Sequence, residues 1–155
     1  MDKVSILQIA IPLIKQFEGF KSKPYPDQGG IPTIGYGTTY YLDGRHVSLS
    51  DSSIDEQTAT NLLINKIQQE FLPALERIFS GSSSINSNQY AALLSFEYNE
   101  GKGALAGSTL AKKLIAGDVS GASDEFLKWD VVGGQTIQGL LNRRLKEQSL
   151  FNTPV

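Results

Sequence analysis

The sequence predicts an α+β fold, in which a small antiparallel β lobe accompanies a larger, mostly helical one. Three observations lead to it. A glycine- and proline-punctuated stretch from Gly19 to Ser50 carries short β-favouring runs. From Asp55 onward, apolar residues recur at helical spacing. Before Gly19, an apolar segment has the pattern of one further helix. At 155 residues the chain fits a single domain. Its β lobe is expected at about 19–50, with 1–18 and 51–155 forming the helical lobe. There is no internal repeat, and Ser80 to Ser84 is too short to separate domains.

Pro12 is costly inside a helix but tolerated at its first position, so the spacing predicts a short helix over Ile11 to Glu18. Leu13, Ile14 and Phe17 would share a face, and Gly19 would end the helix. In the β lobe, the runs Ile31 to Tyr36, Thr38 to Leu42 and Arg45 to Leu49 read as about three strands, with Asp43-Gly44 as a hairpin turn. Asp55 is a good N-cap for a helix burying Ala59, Leu62, Leu63, Ile67 and Leu75, which Pro73 should kink or restart. Gly81 to Ser84 reads as a loop. Asn86 with Gln89 forms a capping-box pattern before a helix that turns Ala92, Leu93 and Phe96 inward. Ser108 and Asp118 look like caps of two further helices. A last helix is expected over Thr136 to Phe151, with Leu140, Leu141 and Leu145 buried.

Composition narrows the chemistry. The chain has no cysteine, which excludes disulfides, a cysteine nucleophile and thiolate metal sites. With one histidine, a multi-histidine metal centre is impossible, and His46 is left as the single candidate for a Ser/His-type base. No metal site and no cofactor are expected. A net charge of −2 lacks the basic footprint of a nucleic-acid binder. The apolar stretch Ile6 to Ile14 is too short to span a bilayer and has no small-residue cleavage site after it. The expectation is therefore a soluble chain without its own export signal and without stable membrane insertion.

What remains for hydrolysis is a pair of carboxylates. Glycoside cleavage needs one carboxyl that delivers a proton, and one ionised group that activates water or attacks the anomeric carbon. Glu18, in the last turn of its helix and flanked by Phe17 and Phe20, is in a place that disfavours its charged form. Asp27 lies in a Pro-Gly-rich loop beside Gln28 and Gly29 and should stay solvated and ionised. Unlike environments are what divide acid from base. A helix-end glutamate and an aspartate before two glycines are equally the marks of a surface residue and a turn former. Composition and periodicity do not decide between the two.

A series of motifs in order extends the reading. Phe17-Glu18-Gly19-Phe20, Pro24-Tyr25-Pro26-Asp27 and Pro32-Thr33-Ile34-Gly35-Tyr36-Gly37-Thr38 resemble the phage-type lysozymes, the T4-like and lambdoid endolysins of glycoside hydrolase family 24. That family spaces Glu, Asp and Thr as Glu18, Asp27 and Thr33 are spaced here. Asn88 to Leu93 with Phe96 to Gly101, then Ser108-Thr109-Leu110, Phe126 to Trp129 and Gly139 to Arg144, follow in family order. The resemblance implies a lysozyme-like fold with the active-site cleft between its lobes. It also implies a muramidase that cuts the β-1,4 bond between N-acetylmuramic acid and N-acetylglucosamine and so lyses bacterial walls. Glu18 would be the general acid. Asp27 and Thr33 would hold the attacking water, which suits an inverting course. Substrate contacts would come from Tyr98, Asn99 and Arg143. Arg143 competes with Arg144 for the position near the catalytic glutamate, and a surface ion pair is its alternative. Asn99 reads equally as a helix C-terminal residue, and Trp129 reads as core more readily than as a sugar platform. Gly35 and Gly37 are assigned to backbone geometry.

Departures from the family pattern are informative. Thr38 stands where many relatives have histidine, and Glu100 brings a charge to a position that is usually apolar. Lys21, Lys23, Arg143 and Arg144 are the candidates for a local positive field toward the anionic wall, and His46 is expected to be exposed. A phage or prophage endolysin is the leading reading. It would be a monomer made in the host cytoplasm and released with the help of a holin, with peptidoglycan glycan strands as its partner. A tail-associated or effector muramidase, and a wall-binding module without catalysis, are the alternatives. Chitin is a possible side substrate.

Overall fold

The computed structural model describes residues 1–82 and 84–155. Ser83, in the expected loop at 81–84, lies outside the described residues. The chain divides into two compact units, one of Ile11–Glu70 and one of Met1–Ala10 with Phe71–Val155.

Helix α1 runs over Lys3–Glu18, with Pro12 in its interior. It is longer than the Ile11 to Glu18 segment expected from the proline. Asp2 opens it by accepting bonds from the Ser5 amide (3.2 Å) and hydroxyl (2.6 Å). Pro12 removes one amide from the ladder, but Ile6, Ala10 and Ile14 are fully buried on the same helix. Burial of that stripe, at roughly 25 cal/mol per Å² of apolar surface, offsets the lost bond. The residues before Pro12, which had no assignable role in the sequence, are thus part of the packed helix.

In the Ile11–Glu70 unit, β1 (Lys21–Pro26) pairs antiparallel with β2 (Pro32–Gly35), with Tyr25 opposite Thr33 and Pro26 opposite Pro32. The expected lobe of about three strands is corrected here. Thr38 to Leu42 and Arg45 to Leu49 contribute isolated bridges, Ile34 to Thr38 and Tyr40 to His46. The strand that the sequence reading passed over is β1. Its two prolines argue against a central strand, but a two-stranded sheet has only edges, where a missing amide is tolerated. The Asp43-Gly44 turn is present: Gly44 has φ +86, and the Tyr41 amide bonds the Arg45 carbonyl at 2.9 Å.

Helix α2 (Glu56–Lys66) begins at Asp55, whose side chain accepts from the Thr58 amide. It lies close on β2 because position 35 is glycine. Gly35 has φ +66, and a Cβ there would come within 3.1 Å of the Ala59 Cβ. The Tyr36 hydroxyl donates to Glu56 Oε2 at 2.7 Å, as does Thr60, and Lys15 approaches the same oxygen at 3.0 Å. The Tyr36 hydrogen bond, with help from Thr60 and Lys15, lowers the Glu56 pKa to about 2. Burial, then the bond to that carboxylate, pushes the Tyr36 phenol to about 12.

A π-helical turn at Ile67–Phe71 follows α2, and Pro73 sits at the start of α3 (Leu72–Ile78). The proline restarts the helix as expected, and the π turn is how the chain accommodates it. Helix α4 (Ser87–Glu100) opens on the Asn86/Gln89 capping box, with both reciprocal bonds formed. Ala91, Ala92, Leu93, Leu94 and Phe96 on it are fully buried. Three short helices follow: α5 (Lys102–Ala106), α6 (Thr109–Ile115) capped by Ser108, and α7 (Val119–Glu125) capped by Asp118. Trp129 is half-buried, edge-on to Phe96 at 5.2 Å, and so belongs to the core.

Two corrections fall at the C-terminal end. A hairpin, β3 (Val131–Val132) with β4 (Gln135–Thr136), turns through Gly133 and Gly134, and helix α8 starts after it, at Gln138–Phe151. Leu145, expected to be buried, is 44% exposed, while the buried face of α8 is Arg143, Arg144, Glu147 and Phe151. Charged side chains occupy the inward stripe, and the leucine pattern misreads it. Among the described residues no helix is long and apolar enough to cross a membrane.

Candidate active site

Glu18, Asp27 and Thr33 all fall in the Ile11–Glu70 unit. Glu18 is the last residue of α1, and it is half-buried. Gly19 follows with φ +73, its amide bonding the Lys15 carbonyl at 3.0 Å, so the helix stops at the glutamate and the chain turns into β1. Glu18 therefore sits at the carbonyl end of its helix, where the sequence predicts it, although that helix is longer than predicted.

Asp27 occupies the β1–β2 connection, and its own side chain builds the loop. Oδ1 accepts from the Gly29 amide at 2.8 Å and the Ile31 amide at 2.9 Å, while the Asp27 amide bonds the Ile31 carbonyl at 2.9 Å. Gly30, with φ +80, supplies the left-handed residue that closes the loop. The turn-forming reading of Asp27 is thus present, with Oδ1 fixing the loop, and it leaves the chemical reading open to the other oxygen.

Thr33 is 3% exposed, and its hydroxyl donates to the Ile31 carbonyl at 2.8 Å. With its proton committed, Oγ1 presents lone pairs only. Oδ2 of Asp27 is likewise an acceptor. A water taken by both would donate its two protons to them and turn a lone pair outward.

The three residues expected to contact substrate lie in the other unit. Tyr98 is half-buried, with its ring 5.1 Å from Phe71. Asn99 Oδ1 accepts from Arg144 Nη2 at 2.8 Å. Arg143 is 3% exposed, and donates to the Ser95 carbonyl at 3.1 Å and to Glu147 Oε2 at 3.3 Å. The surface-pair alternative for Arg143 is therefore set aside.

Arg144 is fully buried. Its Nη1 donates to Glu100 at 2.9 Å, its Nη2 reaches Asn99 and Glu147, and its Nε stands 2.7 Å from Glu147 Oε1 as a close ion contact. The guanidinium also covers the Phe96 ring at 4.8 Å. Arg143 and Arg144 are therefore internal groups and are corrected as sources of an outward field, whereas Lys21 and Lys23 are exposed on β1. The extra charge of Glu100 is taken up by Arg144. His46 is exposed, as expected.

One buried carboxyl was not anticipated. Glu97 on α4 is fully buried, and neither of its oxygens has a hydrogen-bond partner among the described residues. Burial raises its pKa to about 8, against the opposing charges of Lys102 and Arg77. The sequence reading also left Tyr25 without a role. Its signal was available in the strand alternation, since Tyr25 stands two residues before Asp27. Among the described residues, no group of three or more His, Cys, Asp or Glu side chains is placed to hold a metal ion.

The chain matches the family model described as phage lysozyme over residues 15–147. It is 39% identical over 155 residues to the endolysin of Bacillus phage B103, covering 97% of this chain and 55% of that relative. It is 38% identical over 140 residues to the endolysin of Salmonella phage P22, covering 89% of this chain and 91% of the relative. The chain thus spans about half the length of the Bacillus-phage relatives it matches. A crystal structure of a P22 lysozyme mutant superposes with a TM-score of 0.81 at 36% identity, covering 93% of this chain and 95% of that one.

Proposed function

The chain belongs to the phage lysozyme family, and from that premise we propose that it is a peptidoglycan muramidase. It hydrolyses the β-1,4 bond between N-acetylmuramic acid and N-acetylglucosamine, and so acts as an endolysin on bacterial walls. The observation that carries this reading is the loop around Asp27. It commits one carboxylate oxygen to the backbone, and the Ile31 whose amide that oxygen binds also takes the Thr33 hydroxyl proton on its carbonyl.

The mechanism follows from those roles. Glu18 donates its proton to the glycosidic oxygen as the bond to the anomeric carbon breaks, and ends as a carboxylate. The attacking water gives its protons to the acceptors Asp27 and Thr33, and adds its outward lone pair to the opposite face of the sugar. Asp27 removes the proton as the new C–O bond forms. Charge and atoms balance with one water consumed, and the product anomer is inverted. Tyr98 and Asn99 are proposed as glycan contacts, whereas Arg143, 3% exposed and bonded to Ser95 and Glu147, is corrected as one. Partner and delivery belong to the same proposal: glycan strands are the target, and a separate holin gives access to them.

Product analysis tests this. Purified peptidoglycan is digested and its new reducing ends are reduced with borohydride. Muraminitol is the expected new sugar alcohol, with the first-formed anomer inverted. Glucosaminitol in its place would make the enzyme a glucosaminidase. A wall that binds the protein but releases no reducing ends would return the chain to the binding-module reading.

A further inference from the structure

We propose that Tyr25 is a further substrate-contacting residue of this site, its phenol O–H donating to an oxygen of the sugar at the scissile bond. The proposal rests on the muramidase reading above. Tyr25 is directly opposite Thr33 in the β1–β2 ladder. Residues facing each other across an antiparallel pair project to the same side of the sheet, with Cβ atoms about 4.5–5.5 Å apart. The pairing continues past β1 through the Asp27 amide to the Ile31 carbonyl. Asp27 follows two residues after Tyr25, in the loop that this pairing leads into. One face of a two-stranded hairpin thus carries Tyr25 and Thr33 together, with Asp27 in the loop at its end.

The chemistry of that face is lopsided. Asp27 Oδ2 and Thr33 Oγ1 are acceptors, the threonine proton being held by Ile31. The phenol of Tyr25 is the remaining side-chain donor of the three. It is half-buried, and among the described residues no hydrogen bond contributes to its proton affinity. Partial burial, with the negative charges of Glu18 and Asp27, raises its pKa, so the O–H stays protonated and within electrostatic reach of both carboxylates.

A donor in this place has two possible acceptors, the nucleophilic water and the sugar. A water that gives both protons to Asp27 and Thr33 needs its lone pair for the anomeric carbon. A bond from Tyr25 to that lone pair would compete with attack. The sugar, by contrast, offers hydroxyl, ring and acetamido oxygens, and the other two hairpin groups have no proton to give them. Tyr25 therefore serves the sugar.

The test is Tyr25→Phe, which removes the hydroxyl and keeps the ring. Steady-state rates on soluble glycan fragments are measured beside the melting midpoint. A lost hydrogen bond at the reacting sugar should lower kcat/KM by roughly 10-fold or more, with the melting midpoint unchanged. A bond that strengthens in the transition state shows as a fall in kcat with KM little altered. Rates within twofold of wild type overturn the proposal, as does a loss of rate that merely tracks a loss of folded protein. Should Tyr25→Phe fold poorly, its rates are scaled to its folded fraction; a rate per folded molecule within twofold of wild type overturns it. A wild type that releases no reducing ends refutes the muramidase reading itself, and so is distinguishable from failure at Tyr25.

Discussion

Glu97→Met is expected to gain stability relative to the wild type as the pH rises from 4 to 8. The wild-type residue is a carboxyl with no exposure and no hydrogen-bond partner on either oxygen among the described residues. Its pKa rises from 4.5 to about 8 on folding. Below 4.5 both folded and unfolded chains hold the proton, and the group contributes nothing to the pH dependence. Between 4.5 and about 8, the unfolded chain releases the proton while the folded chain keeps it, so stability falls as pH rises. Each pH unit in that window costs about 1.4 kcal/mol, and the loss levels off on the order of 5 kcal/mol once the folded group ionises too. Methionine has a similar volume and no charge to bury, and should flatten this part of the profile. Urea midpoints of both proteins at pH 4, 5, 6, 7 and 8 make the comparison. The difference between the two curves removes other titrating groups, including Glu147, whose pKa burial also raises. Parallel curves would contradict the assignment.

The second large effect is expected at Arg144. Replacing it with methionine leaves the buried Glu147 carboxylate with Arg143 and Ser95, without the guanidinium that stands 2.7 Å from it. It also strips Asn99 and Glu100 of their shared donor. Breaking one side of a buried ion pair costs roughly 3–5 kcal/mol, because the remaining charge has no water to turn to. Replacing both partners removes that stranded charge. Arg144→Met/Glu147→Met should therefore recover much of the loss, and the double-mutant cycle should show strong coupling. Chemical denaturation of the four proteins measures it. A single-variant loss under about 1 kcal/mol would mean the cluster is more hydrated than its burial indicates.

These two sites also mark where the sequence was readable and where it was not. Caps were legible, because capping is local: Asp55, Asn86, Ser108 and Asp118 each accept the amide bond their spacing predicts. The site motif was legible for a similar reason. Glu18 ends its helix at a glycine, and Asp27 is held by amides within four residues of it. Strand β1 was missed because prolines weigh against a strand unless it is known to be an edge. The first helix was cut short at Pro12, because the burial of Ile6 and Ala10 is a tertiary fact. The inward face of α8 was misread for the opposite reason. A leucine pattern suggested the core, but paired charges can be buried when their partners come from α4, and nothing local in α8 reports that. Glu97 is silent in the sequence on the same grounds, since only packing shows that a glutamate in that helix has no water.

The central claim is that Glu18 supplies the proton that breaks the glycan. Release of reducing ends from purified peptidoglycan, measured for wild type beside Glu18→Gln at matched folded concentration, tests it most directly. An amide of the same shape keeps the end of α1 intact and cannot act as the acid. The account predicts clearing and new muramic-acid ends from the wild type, and a rate lower by roughly 10²–10⁴-fold for the variant, with its circular dichroism and melting midpoint unchanged. A Glu18→Gln protein that clears the wall at the wild-type rate would contradict it.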